Sequence, residues 1–219
     1  MYVQFALFDG FALLDVVAPY EALYAAGLAT EGGVSVELVT AEGAREVTSG
    51  IASVSLRATA ALDPERADVI VVPGGVGLPS DDTADPDHNL VAILARAAGT
   101  GLSPLLSQAL ERGDTLVATV CGGSMILAMA GLLAGRPATT HHLGMEALAA
   151  AGATAVHARV VDDGNLVSGA GVTSGLDVAL HVIEREIGPQ VAHAVETLFA
   201  HERRGVVWSR RGPVPSFTG

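Results

Sequence analysis

The chain's one cysteine sits where a nucleophile would be useful: Cys121 separates an apolar run, DTLVATV (114–120), from a helical one and opens CGGSMILAMAGLLAG (121–135). A side chain at such a strand-to-helix junction lies near the positive end of the helix, so a lowered thiol pKa is expected. Gly122 and Gly123 keep the turn uncrowded, as small residues do around the nucleophile of strand–turn–helix hydrolases. A buried structural thiol is the competing reading. Negative charge developing on an attacked substrate needs backbone donors, and the N–H groups of Gly122 and Gly75 are the candidates for an anion hole. A tight turn by itself accounts equally well for Gly74-Gly75.

A proton carrier is the next requirement, and seven histidines compete for it: His88, His141, His142, His157, His181, His193 and His201. His141 is preferred, because ATT (138–140) returns the chain to the crevice soon after the cysteine helix. A helix-start histidine bonded locally is the alternative. His193 and Glu196 share a helix face three residues apart, yet a single Cys with no HExxH and no clustered His/Asp/Glu set argues against a metal site. No cofactor is expected.

Positioning these residues requires alternating strands and helices. Residues 2–8 and 34–40 read as strands, with a helix from about Asp15 to Ala26 between them and Pro19 in its first turn. ASVSLRA (52–58) alternates with period two and reads as an antiparallel addition beside the main sheet. ADVIVVPGG (67–75) and DTLVATV are continuous apolar runs, as parallel strands covered on both faces require. A polar loop is expected over 76–89, then helical segments to about Arg112 broken near Gly99–Pro104, and a helix from the cysteine to Gly135. A helix over 142–151, two strands around Asp162-Asp163-Gly164-Asn165 and helices opening at Thr173 and Pro189 complete the series. The implied fold is α/β with a mainly parallel sheet, which binds ligands at the carboxyl ends of its central strands. Cys121 and Gly75 therefore belong to one crevice.

The 219 residues suffice for one domain, expected over 1–203, with 204–219 as a solvated tail carrying part of the cluster Arg203, Arg204, Arg210 and Arg211. Twelve Lys and Arg against 24 Asp and Glu give a charge of -12, which disfavours nucleic acid as a partner. Apolar stretches break before the roughly 20 residues a membrane span needs, and MYVQFALF reads as a strand rather than an export signal. A lone cysteine excludes an internal disulfide, and a reducing, cytoplasmic location is expected.

Four segments in order, LLDVVAPYEAL (13–23), VIVVPGG (69–75), ATVCGGSMILAMAGLLAGRPATTH (118–141) and SGAGVTSGLDVALHVIE (168–184), resemble the ThiJ/PfpI superfamily, related to class I glutamine amidotransferases, and within it the isonitrile hydratase branch. The resemblance spans about residues 1–200 and implies a flavodoxin-like three-layer sandwich with a nucleophile elbow. It implies Cys121 as the nucleophile, Glu21 as the glutamate that hydrogen-bonds the thiol, Asp15 as the acid or base and His141 as the histidine near the thiol. From local sequence alone Asp15 reads equally as a helix N-cap and Glu21 as an exposed helix residue. One departure stands out: the hydratase pattern has a threonine immediately after the cysteine, where this chain has Gly122.

The activity so implied is hydration of an isonitrile to an N-substituted formamide through a covalent thioimidate, with a small-molecule substrate and a homodimer as the assembly. Two alternatives use the same thiol: glyoxalase- or deglycase-like chemistry on small aldehydes, and redox or ligand sensing without turnover. The domain also serves as the sensor half of AraC-like regulators, but the 20 residues after Phe199 are too few for two helix-turn-helix units.

Overall fold

A computed structural model of the chain describes residues 1–77 and 89–212. Most of the loop expected over 76–89, with His88, and the last part of the expected tail lie outside the described residues. The chain begins with β1 (Tyr2–Ala6), α1 (Leu13–Ala29) and β2 (Ser35–Thr40), then β3 (Arg45–Thr48), β4 (Ser55–Ala58), β5 (Ala60–Ala61) and β6 (Val69–Val72). Helices α2 (Leu90–Ala98) and α3 (Leu102–Arg112) precede β7 (Leu116–Thr119), and α4 (Gly123–Met129) follows it. Then come β8 (Pro137–Ala138), α5 (Met145–Ala150), β9 (Thr154–Ala155), β10 (Val160–Asp162) and β11 (Leu166–Gly169). The described chain closes with α6 (Ser174–Glu186), α7 (Pro189–Phe199) and β12 (Trp208–Ser209).

Eight strands form the main sheet in the order β12-β10-β11-β7-β6-β1-β2-β5. Its pairs are parallel except β10 with β11. Every residue of β6, β7 and β11 is buried, as expected where helices cover both faces of a sheet. Helix α1 packs on α6 and α7, while α2 packs on α3 and α4. Gly175 permits the close approach of α6 to α1, since a Cβ there would lie 3.0 Å from Pro19 Cδ. Pro19 is inside α1 rather than in its first turn, because the helix already starts at Leu13.

From β1 the chain moves to β2 on one side, and from β6 to β7 on the other. The connections thus diverge between β1 and β6, which opens a crevice at the carboxyl ends of these strands. Segment 52–58 does form an antiparallel hairpin, β3 with β4, but as a separate two-stranded sheet. The expected tail is corrected in part: Trp208 and Ser209 pair with Val161 and Asp162 and give the main sheet its last strand. Of the arginine cluster, Arg203 is held by Glu184 and Glu196 and the tail's Arg210 by Asp163. Helix α4 ends at Met129, short of Gly135, because Gly131 takes a left-handed φ of 75°.

Candidate active site

The turn after β7 holds Cys121 at φ 54°, a left-handed conformation that a non-glycine residue adopts at a cost of about 1–2 kcal/mol. Hydrogen bonds on both sides hold it there. Val120 N–H donates to Val72 O at 3.0 Å, Cys121 N–H to Gly169 O at 3.1 Å and Gly123 N–H to Val120 O at 2.9 Å. The two glycines near the elbow have separate reasons. A Cβ on Gly123 would collide with the Val72 carbonyl oxygen, and one on Gly74 would lie 2.6 Å from Gly122 N. Gly123→Ala is therefore expected to lower stability by about 2–3 kcal/mol, read as a drop in urea midpoint with unchanged slope. A wild-type midpoint would show that β6 can yield.

Asp15 lies under the elbow in the first turn of α1, fully buried. It is not an N-cap, since Ala12 holds that position. Its Oδ2 accepts the Gly74 N–H at 2.9 Å, whereas Oδ1 has no hydrogen-bond partner among the described residues. Burial raises the Asp15 pKa to about 7, against the pull of the Gly74 N–H. The thiol is pushed up to about 12, first by burial and then by the neighbouring Asp15 charge, with the Gly122 N–H opposing. This corrects the lowered thiol pKa expected from the helix start: a short, buried helix end does not outweigh desolvation and a nearby carboxylate.

Glu21 is corrected as well. It is exposed on α1, and six residues at 3.6 per turn put it about 120° round the helix from Asp15. The carboxyl beside the thiol is Asp15. Glu21 shares its stripe on α1 with Leu14, Tyr24 and Leu28, all of them substantially exposed.

Above the thiol is a cavity of about 470 Å³ whose described lining includes Gly75, Cys121, Gly122, Thr140 and His141. No charged side chain is among that described lining, and most of the wall is apolar, with Leu94, Met125 and Met129 prominent. Leu14, Ile51, Val91 and Leu143 are each at least 45% exposed at its rim, so the mouth is apolar too. A cleft of about 390 Å³ at the opposite strand ends, lined by Asp68, Asp114, Arg185 and Glu186, is charged and holds no nucleophile.

The structure thus brings Cys121, Asp15, Gly75, Gly122 and His141 to one place. Neither the Gly75 nor the Gly122 N–H donates to another described backbone group; the Gly122 N–H bonds the Cys121 thiol, and the two are the candidate donors to an anion formed there. His141 Nδ1 accepts the Leu143 N–H at 3.3 Å, and its ring lies 4.2 Å from that of His142. Burial and then His142 lower its pKa, and in the neutral ring the accepting Nδ1 leaves the proton on Nε2. Two groups were not foreseen. Gly74 supplies the amide that holds Asp15, and Thr140 donates its hydroxyl to the Cys121 carbonyl at 2.8 Å. The Thr-Thr pair directly before His141 was the available signal for the second.

Sheet and elbow place the chain among α/β proteins that carry a cysteine over the end of a central strand. Within that class it belongs to the DJ-1/PfpI family, which it matches over residues 1–185. It is 35% identical over 194 residues to isonitrile hydratase of Pseudomonas putida, covering 89% of this chain and 75% of that one. A ThiJ/PfpI family protein from Pseudomonas syringae is similar in structure, with TM-score 0.71 and 28% identity over 93% of this chain and 76% of the other. DJ-1beta of Drosophila melanogaster shares the fold at TM-score 0.75 and 20% identity, over 92% of this chain and 98% of its own.

Proposed function

We propose that this chain hydrates an uncharged isonitrile to the N-substituted formamide. The observation that carries the reading is the buried carboxyl of Asp15, one oxygen unpartnered, beside the Cys121 thiol at the base of an apolar cavity. Likeness to the Pseudomonas putida hydratase supports it. An isonitrile is neutral and offers few hydrogen-bonding groups, so an apolar wall suits it better than it suits a small hydrated aldehyde.

In the proposed reaction the Asp15 carboxylate takes the thiol proton as Cys121 sulfur bonds to the terminal carbon, and then gives that proton to the same carbon. The product is a thioimidate, R–N=CH–S–Cys121. Water adds to its carbon; Asp15 accepts a water proton and passes it to the nitrogen. The N–H groups of Gly75 and Gly122 meet the charge on the new oxygen. The C–S bond then breaks, R–NH–CHO leaves, and the water's second proton returns to the thiol. Mass spectrometry of products from a panel of alkyl and aryl isonitriles, with methylglyoxal as the control, tests the reading. Absence of formamide from every isonitrile would overturn it.

Gly122 adopts φ -70°, open to any residue, and a Cβ there would meet Leu94 at an ordinary 3.4 Å. Gly122→Thr should therefore fold and, by restoring the hydroxyl of the hydratase pattern, raise kcat for hydration by about tenfold. An unchanged kcat in a folded variant would mean that the hydroxyl is dispensable here.

A further inference from the structure

We propose that Thr140 is a positioning residue which, by gripping the Cys121 carbonyl, aims the Gly122 N–H into the anion hole. The inference rests on Cys121 being the reactive group. Its physical basis is the peptide plane: the Cys121 carbonyl and the Gly122 N–H belong to one planar trans unit and point in opposite directions. Holding the oxygen fixes the N–H.

That hold matters more here than at an ordinary turn. Cys121 is in a left-handed conformation, and residue 122 is glycine, so the plane between them meets little side-chain resistance to rotation. The α4 hydrogen bonds leave the Gly122 N–H unspent, as they do for the first amides of any helix. The Thr140 hydroxyl, with one proton to give, donates it to Cys121 O at 2.8 Å in a buried setting. Thr140 is held in turn, because the Thr139 N–H donates to Ser168 Oγ at 3.0 Å on β11. The next residue of that strand, Gly169, accepts the Cys121 N–H. Both backbone groups of Cys121 are thus held, the N–H by β11 and the carbonyl by Thr140. The Gly122 N–H is also the group that opposes the upward push on the thiol.

Thr140→Val keeps the shape and removes the hydroxyl; Thr140→Ser keeps the hydroxyl. The readout is the rate of Cys121 alkylation by iodoacetamide against pH, followed by intact mass, alongside kcat and KM for the isonitrile the wild type turns over best. For Thr140→Val the alkylation rate at each pH below the thiol pKa should fall about tenfold, and kcat about 100-fold with little change in KM. Thr140→Ser should restore both to within about threefold. If Thr140→Val does not fold, Thr140→Ala carries the same expectation. A hydroxyl-free variant that alkylates at the wild-type rate overturns the proposal, as does a wild-type thiol inert to alkylation at every pH. Should the alkylation pattern hold while no isonitrile turns over, the positioning role stands and the hydratase reading fails.

Discussion

Cys121→Ala is expected to lower formamide formation by about 10⁴-fold or more while leaving the fold intact. The size follows from the mechanism, in which sulfur forms the only covalent bond between protein and substrate, so no residual route keeps the two-step path. Folding should tolerate the change because alanine removes one sulfur atom at the base of a cavity that is already open. Alanine keeps a Cβ, so the left-handed strain at position 121 remains and the hydrogen bonds to Val72, Gly169 and Thr140 are unaffected. The measurement is product formation by mass spectrometry with circular dichroism as the folding control. Wild-type enzyme mixed with excess isonitrile should also gain the mass of one substrate on Cys121. Formamide at the wild-type rate from a folded Cys121→Ala protein would remove the covalent path altogether.

How far the site could be read in advance depended on whether its cause was local. The elbow was legible because a buried strand, a cysteine, two glycines and an apolar helix are contiguous, and Cys121 does adopt φ 54° at that junction. The pairing of Gly75 with Gly122 was legible from the rule that ligands sit at the carboxyl ends of central strands. Asp15 was harder, since its burial arises where α1 crosses the end of β6, and only the fold shows that Gly74 reaches its carboxylate. Glu21 reads from local sequence as the exposed helix residue it is; its place beside the thiol was implied by the resemblance alone, and the helix phase gives that place to Asp15. The direction of the thiol pKa was missed for a related reason: burial and the Asp15 charge are tertiary, while the helix-start argument is local. Two-residue β12 carries no alternation to read, and exists through its pairing with β10.

Asp15→Asn should show the second large effect, a fall in kcat of about 10²–10⁴-fold together with loss of one limb of the pH profile. Asp15 and Cys121 titrate as a pair, with one proton leaving near pH 7 and the other near pH 12. The reactive form holds a single proton, written as thiol with carboxylate or as thiolate with carboxylic acid. Wild-type kcat/KM should accordingly rise with pH to a midpoint near 7 and stay high into the alkaline range. Asparagine neither takes nor gives that proton, so the rise near 7 disappears. Stability moves in the opposite sense. The folded-state pKa of Asp15, about 7, lies above the ordinary 3.8, so between these values the native state binds more protons than the unfolded chain. Its contribution is complete below the unfolded value and is lost as pH climbs through 7, on the order of 4 kcal/mol in all. Asp15→Asn escapes that loss, and its melting temperature should gain on the wild type as pH is raised through that window. A rise near pH 7 that persists in the Asn variant would assign the limb to another group.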